Sequence, residues 1–126
     1  METTAQRAHR CDTILVVEDD DDIRVTLQDV LEDEGYSTVV AANGREALER
    51  LRALTPPCLI LLDLMMPVMS GREFLAALRE DGVLAPIPVV VVTAWPTEAQ
   101  ATPGVQGFVK KPIDVEVLLD LVRRYC

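Results

Sequence analysis

Residues 59–67 read Leu59-Ile60-Leu61-Leu62-Asp63-Leu64-Met65-Met66-Pro67. Four apolar residues with no polar alternation describe a strand buried on both faces, as in a parallel sheet covered by helices. Asp63 stands where that strand would end. Three other stretches repeat the form: Ile14-Leu15-Val16-Val17 runs into Glu18-Asp19, Val89-Val90-Val91-Val92 into Thr93, and Gly107-Phe108-Val109 into Lys110-Lys111-Pro112. If these runs are neighbouring parallel strands, their polar ends meet at one carboxyl edge, where open α/β sheets hold their ligands.

The intervening segments carry helical patterns. Ile23, Leu27, Val30 and Leu31 recur at helical spacing after Asp20, Asp21 and Asp22, three aspartates suited to a helix start by capping and by the helix dipole. Gly35 is a plausible stop. Asn43 can cap a helix bearing Leu48, Leu51 and Leu54, ended by Thr55-Pro56-Pro57. Ser70 can cap another with Phe74, Leu75 and Leu78, closed by Asp81-Gly82, and Asp114 a last one with Val115, Leu118, Leu119 and Val122 inward. With strands expected at 13–17, 37–41, 58–62, 87–92 and 106–109, strand and helix alternate five times. That order implies a parallel sheet with right-handed crossovers.

One unit is anomalous. Between Thr93 and Lys111 the chain holds Pro96 and Pro103-Gly104 and has no Leu or Ile. A helix fits only at about 97–102, little more than one turn and too short to be stable alone. The fourth helix is therefore expected to be shortened or irregular, with irregular backbone over about 96–105. Trp95 has three open roles, as core anchor, partner contact or lid, and the short connection favours packing inward over the sheet. Val117 and Leu121 fall off the inward face of the last helix, near Tyr125, and form a candidate contact stripe.

The 126 residues suit one domain, and a 49% hydrophobic content supports a core. A formal charge of -9 argues against a nucleic-acid-binding surface. No apolar run approaches the length of a membrane span. Residues 1–11 read as a flexible polar tail in which His9 is a solvated side chain, with residues 12–126 as the domain. Cys11, Cys58 and Cys126 are odd in number, widely spaced and without a CxxC, which suggests neither a metal site nor a disulfide framework and makes reducing cytosol the natural compartment.

The residue types at the strand ends suit one task, holding a phosphoryl group on an aspartate. A carboxylate can attack phosphorus and become an acyl phosphate. Attack on an anionic phosphoryl group needs charge neutralisation, which suits a lysine and Mg²⁺, a hard ion that prefers oxygen ligands. A threonine hydroxyl can donate to a phosphoryl oxygen.

The segments ILVVEDDDDIR (14–24), LLDLMMPVMSG (61–71), VVVVTAW (89–95) and GFVKKP (107–112) occur in this order. Over about residues 12–126 the chain resembles the receiver domains of two-component response regulators (CheY-like). The resemblance implies a doubly wound α/β fold, flavodoxin-like (βα)5, with a five-stranded parallel sheet in the order 2-1-3-4-5. It makes Asp63 the phosphoacceptor, with Glu18, Asp19, Asp63 and the main-chain carbonyl of Met65 around Mg²⁺. Lys111, which precedes a proline as the family lysine does and typically in a cis bond, is the catalytic lysine rather than Lys110. Thr93 joins it in holding the product, and Thr93 and Phe108 are the switch residues, Phe108 serving equally as a core aromatic.

A cytoplasmic role in bacterial signalling would follow, with a sensor histidine kinase or phosphotransfer protein as donor. The catalysis would be limited to the protein's own aspartyl phosphorylation and dephosphorylation. Output would pass to a protein partner, with a possible dimer through the last helix. The alternative is a receiver-fold interaction module no longer regulated by phosphorylation. A phosphatase resembling the haloacid dehalogenase family would need a second aspartate where Met65 stands. A flavin-binding flavodoxin-like domain would need a phosphate loop where the acidic run lies.

Overall fold

A computed structural model describes residues 13–53, 55–66, 68–95, 102 and 104–126. Strands β1 (Thr13–Val17), β2 (Ser37–Ala41), β3 (Leu59–Leu62), β4 (Val89–Thr93) and β5 (Gly107–Lys110) alternate with helices α1 (Asp21–Asp33), α2 (Gly44–Ala53), α3 (Gly71–Arg79) and α4 (Val115–Tyr125). The strands form one parallel sheet in the order β2-β1-β3-β4-β5. The alternation implied the parallel sheet, and this is the doubly wound, flavodoxin-like arrangement that the family resemblance added to it. The observed strands differ from the expected ones by a residue or two at their ends, with Thr93 and Lys110 drawn into the sheet by the pair they form.

The uniform hydrophobicity of the inner strands is explained by two cores. Leu15, Val17, Ile60, Leu62, Val89 and Val91 face one layer, with Leu48 and Leu51 of α2 and Phe74, Leu75 and Leu78 of α3. Their alternate neighbours Ile14, Val16, Leu59, Leu61, Val90 and Val92 face the other, with Leu27 and Leu31 of α1 and Leu118, Leu119 and Val122 of α4. A strand that serves two layers has no position left for a polar residue until it leaves the sheet.

The helix starts are built locally. The Asp20 carboxylate accepts from the Ile23 N–H at 3.0 Å, so this aspartate is the cap of α1. Asn43 Oδ1 accepts from Glu46 N at 2.9 Å. Ser70 and Glu73 form a reciprocal capping box, and Asp114 accepts from Glu116 N and Val117 N. Gly35, at φ 94°, takes the left-handed conformation that ends α1 at little steric cost. Leu54, expected on α2, and Pro67 lie outside the described residues.

Three expectations are corrected. Val115 is 40% exposed, because its place in the first turn of α4 lies beyond the layer that Leu118 and Val122 fill. Trp95 is 60% exposed and does not pack inward. Cys58 and Cys126, 68 positions apart, form a disulfide with their Cα atoms 5.6 Å apart. Sequence spacing could not reveal that pairing, since it is the packing of α4 back across the sheet that brings Cys126 to the start of β3.

Among the described residues no helix lies between β4 and β5. The expected short turn at 97–102 falls largely outside them. What is described there is anchored: Arg79 Nη2 donates to the Gly104 carbonyl at 2.6 Å. Gln106 exchanges bonds with Val89 through both main chain and side chain, at 2.8 and 2.7 Å.

Candidate functional site at the carboxyl edge of the sheet

The order of the sheet sets β1, β3 and β4 side by side, and the residues that leave their carboxyl ends surround one cleft of about 240 Å³. Glu18, Asp19, Asp63, Met65, Thr93, Trp95 and Lys111 all line it. Glu18 and Asp63 are held in place by main-chain bonds that extend the ladder: Glu18 N donates to Ala41 O and Asp63 N to Val17 O, each at 3.0 Å. Lys111 N donates to Thr93 O at 2.8 Å, and the following peptide bond to Pro112 is cis.

Oxygen atoms of Glu18, Asp19 and Asp63 all lie within 4.8 Å of one another. Glu18 is 1% exposed and Asp63 5%, so two of the three carboxylates are removed from water. Lys111 Nζ enters between them, 3.0 Å from Glu18 Oε1 and 3.4 Å from Asp63 Oδ2. The Glu18 contact is an ion pair outside hydrogen-bond geometry, which leaves this buried oxygen without a hydrogen-bond partner. Burial and the adjoining Asp63 carboxylate push the Glu18 carboxyl from 4.5 up to about 7, while Lys111 and the Asp20 N–H pull the other way. Burial acts to lower the Lys111 ammonium, but the Glu18 and Asp63 carboxylates beside it outweigh this and raise it.

Three carboxylates against one ammonium leave a negative excess in a partly dry cleft, and a buried carboxylate oxygen stands without a hydrogen bond. This donor set fits a hard divalent cation such as Mg²⁺. The Met65 N–H donates to Asp63 Oδ1 at 3.0 Å, which fixes the Asp63 side chain and brings the Met65 backbone to the cleft. Thr93 Oγ1 accepts from Trp95 N at 3.0 Å in a local turn. Phe108, on β5 opposite Val91, is half-buried against the α2–α3 core. Lys110 is exposed, as expected for the neighbour of Lys111 on the opposite face.

Two supporting residues escaped the sequence reading. Arg24 Nη1 donates to the Glu18 carbonyl at 2.9 Å and to the Asp19 carbonyl at 3.4 Å, while the same guanidinium pairs with Asp21. It thereby straps the acidic turn to α1, and its only sequence signal was a basic residue one turn into an acidic helix start. Gly71 opens α3 against the turn that follows Asp63, where an added Cβ would lie 2.6 Å from both Asp63 O and Leu64 Cα. In the same turn Val68 holds φ 70°, a costly conformation for a β-branched residue.

Fold and cleft together define a flavodoxin-like α/β domain with an acidic, lysine-bearing site at its topological switch point. The chain belongs to the response regulator receiver family, whose receiver domain matches residues 14–123. It is 32% identical over 117 residues to the polar-differentiation response regulator DivK of Brucella anthropi, covering 90% of this chain and 94% of that protein. The structure of the chemotaxis protein CheY4 of Vibrio cholerae superposes with a TM-score of 0.82 at 32% identity, covering 92% of this chain and 99% of that one. That of the response regulator TrrA of Thermotoga maritima, in complex with Mg²⁺-BeF, gives 0.82 at 28% identity and covers 91% and 99% of the two chains.

Proposed function

We propose that this domain accepts a phosphoryl group on Asp63 from a histidine kinase or phosphotransfer protein, in an Mg²⁺-dependent reaction, and signals through a protein partner. The observation that carries this reading is the placement of Lys111 Nζ between Asp63 and Glu18 beside a carboxylate triad. A half-buried ammonium among carboxylates at a strand edge is suited to neutralise an incoming phosphoryl group.

An Asp63 oxygen attacks phosphorus as the bond to the donor's imidazole nitrogen breaks, giving an acyl phosphate and a neutral histidine. Asp63 Oδ1 is oriented by the Met65 N–H and Oδ2 faces Lys111, so the nucleophile needs little reorganisation. Lys111 follows the negative charge as it moves onto the phosphoryl oxygens. Thr93 supplies a hydroxyl donor, which requires it to turn from its local contacts with Trp95. Mg²⁺, when held by Glu18, Asp19, Asp63 and the Met65 carbonyl, supplies neutralisation of phosphoryl charge. Movement of Thr93 would free the Trp95 turn and bias the β4–β5 connection and Phe108 between two states, a local event with a wider readout.

The test is intact-mass measurement after exposure to acetyl phosphate with Mg²⁺. Wild type should gain one phosphoryl group and Asp63→Asn none. Equal gain in both would remove Asp63 as the acceptor, and no gain in either would favour an interaction module that no longer uses phosphorylation.

A further inference from the structure

The end of the sheet away from the acidic cleft carries a second reactive pair. Cys58 immediately precedes β3 and Cys126 closes α4, where its N–H donates to the Val122 carbonyl at 2.9 Å. Their disulfide joins the amino end of β3 to the carboxyl end of α4. Asp63 leaves the other end of β3 and Lys111 lies shortly before α4, so the same two segments meet at both ends of the sheet. An ion pair joins them at one end and a covalent bond at the other.

Three features mark the bond as conditional rather than a permanent staple. Leu118, Leu119 and Val122 already dock α4 in a buried layer, so the fold does not depend on a cross-link to hold the helix. Both cysteines are only half-buried at the margin of that layer, and Cys126 lies in the last turn of a helix, where fraying exposes sulfur to an exchange partner. Cys58 Sγ also lies 3.4 Å from the Thr13 carbonyl, an acceptor for the thiol hydrogen when the bond is open. Opening the bond therefore leaves the Cys58 thiol with a main-chain acceptor already within reach.

We propose that Cys58 and Cys126 form a thiol–disulfide modification site whose oxidation by a low-molecular-weight disulfide locks the end of α4 to the start of β3. One cysteine thiolate attacks the reagent disulfide, forming a mixed disulfide and releasing one reagent thiol. The second attacks the protein-bound sulfur and releases the other. Two protein S–H bonds are replaced by one S–S bond, the reagent S–S bond is broken, and the two electrons and two protons leave on the two reagent thiols. The lock acts on the helix that bears exposed Val115 and Val117, and thus on the surface this helix offers to a partner.

The full chain is equilibrated in glutathione buffers of varied ratio, without denaturant, then alkylated and weighed intact. Reduced protein should take three labels, matching the three cysteines of the sequence, and oxidised protein one, on Cys11. The oxidised form should melt higher by on the order of 10 °C, as expected for closing a long loop, and should protect the last turn of α4 in hydrogen exchange. Cys58→Ser and Cys126→Ser should each abolish the difference. Return to three labels when native oxidised protein meets reduced glutathione supports the proposal. A bond that opens only after unfolding would show a permanent staple, and pairing through Cys11, or no single-label form, would remove the site. Equal melting of the two forms would remove the lock.

Discussion

Replacing Glu18 by Gln should make the metal-free protein more stable at alkaline pH while removing its response to Mg²⁺. Glu18 is 1% exposed, and its carboxyl is raised from 4.5 to about 7 by burial and by the adjoining Asp63 carboxylate. At about 1.4 kcal/mol per pH unit, this rise means that ionised Glu18 costs the fold about 3 kcal/mol. The sign follows from linkage. The folded state holds this proton more tightly than the unfolded state, so the cost is absent below the unfolded value of 4.5, grows as pH rises, and is complete above about 7. A neutral amide of the same shape escapes the cost. Urea denaturation in chelator should therefore show Glu18→Gln within about 1 kcal/mol of wild type near about pH 5 and more stable by about 3 kcal/mol near about pH 8. Added Mg²⁺ should stabilise wild type by mass action and narrow the gap. A pH-independent difference, or a variant less stable than wild type at the higher pH, would refute the reasoning.

Gly71→Ala should destabilise the fold by about 2 kcal/mol, because overpacking against backbone outweighs the gain in helix propensity. The new Cβ meets Asp63 O and Leu64 Cα, neither of which can rotate away. A urea midpoint unchanged from wild type would show instead that the turn after Asp63 moves freely. If Asp63 is phosphorylated, Met65→Asn/Trp95→Glu should release phosphate at least about tenfold faster, since polar groups beside the acyl phosphate can orient an attacking water. Met65 and Trp95 line the cleft and offer no such side chains. Phosphate release no faster than wild type would count against this role.

How far the fold could be read in advance depended on how local each determinant is. The apolar runs of β1, β3 and β4 face two cores, so their periodicity is lost in a way that itself signals burial on both sides. The caps Asp20, Ser70 and Asp114 act within three residues of themselves and were legible for that reason. The cleft was legible because parallel strands put every carboxyl end on one edge, so Glu18, Asp19, Asp63, Thr93 and Lys111 needed only the strand order to converge. Residue pattern alone did not supply that order, which came with the family resemblance. Cys58–Cys126 and Arg79–Gly104 join segments far apart in the chain, and no local pattern announces either contact. Trp95 was misplaced by the assumption that a large aromatic beside a short connection must cover the sheet. Its N–H is instead bound to Thr93 Oγ1, and the side chain is left outside.

The same geometry explains why the cleft must work against the stability of the fold. β1 delivers Glu18 into a position as dry as the core, and β3 delivers Asp63 beside it, so two carboxylates compete for one ammonium. A domain selected for stability alone would place a neutral side chain at Glu18, as the glutamine variant would. An ion pair with one member supplied by the segment before α4 is also the least durable way to join strands, since Lys111 can shift its charge to any stronger anion that enters. A phosphoryl group on Asp63 would be such an anion. If Mg²⁺ is held there, the strain between like charges at the ends of β1 and β3 would give the cleft differential affinity for that cation and, through the cation and Lys111, for a phosphoryl group. Only a difference of that kind can move the equilibrium of the surrounding turns.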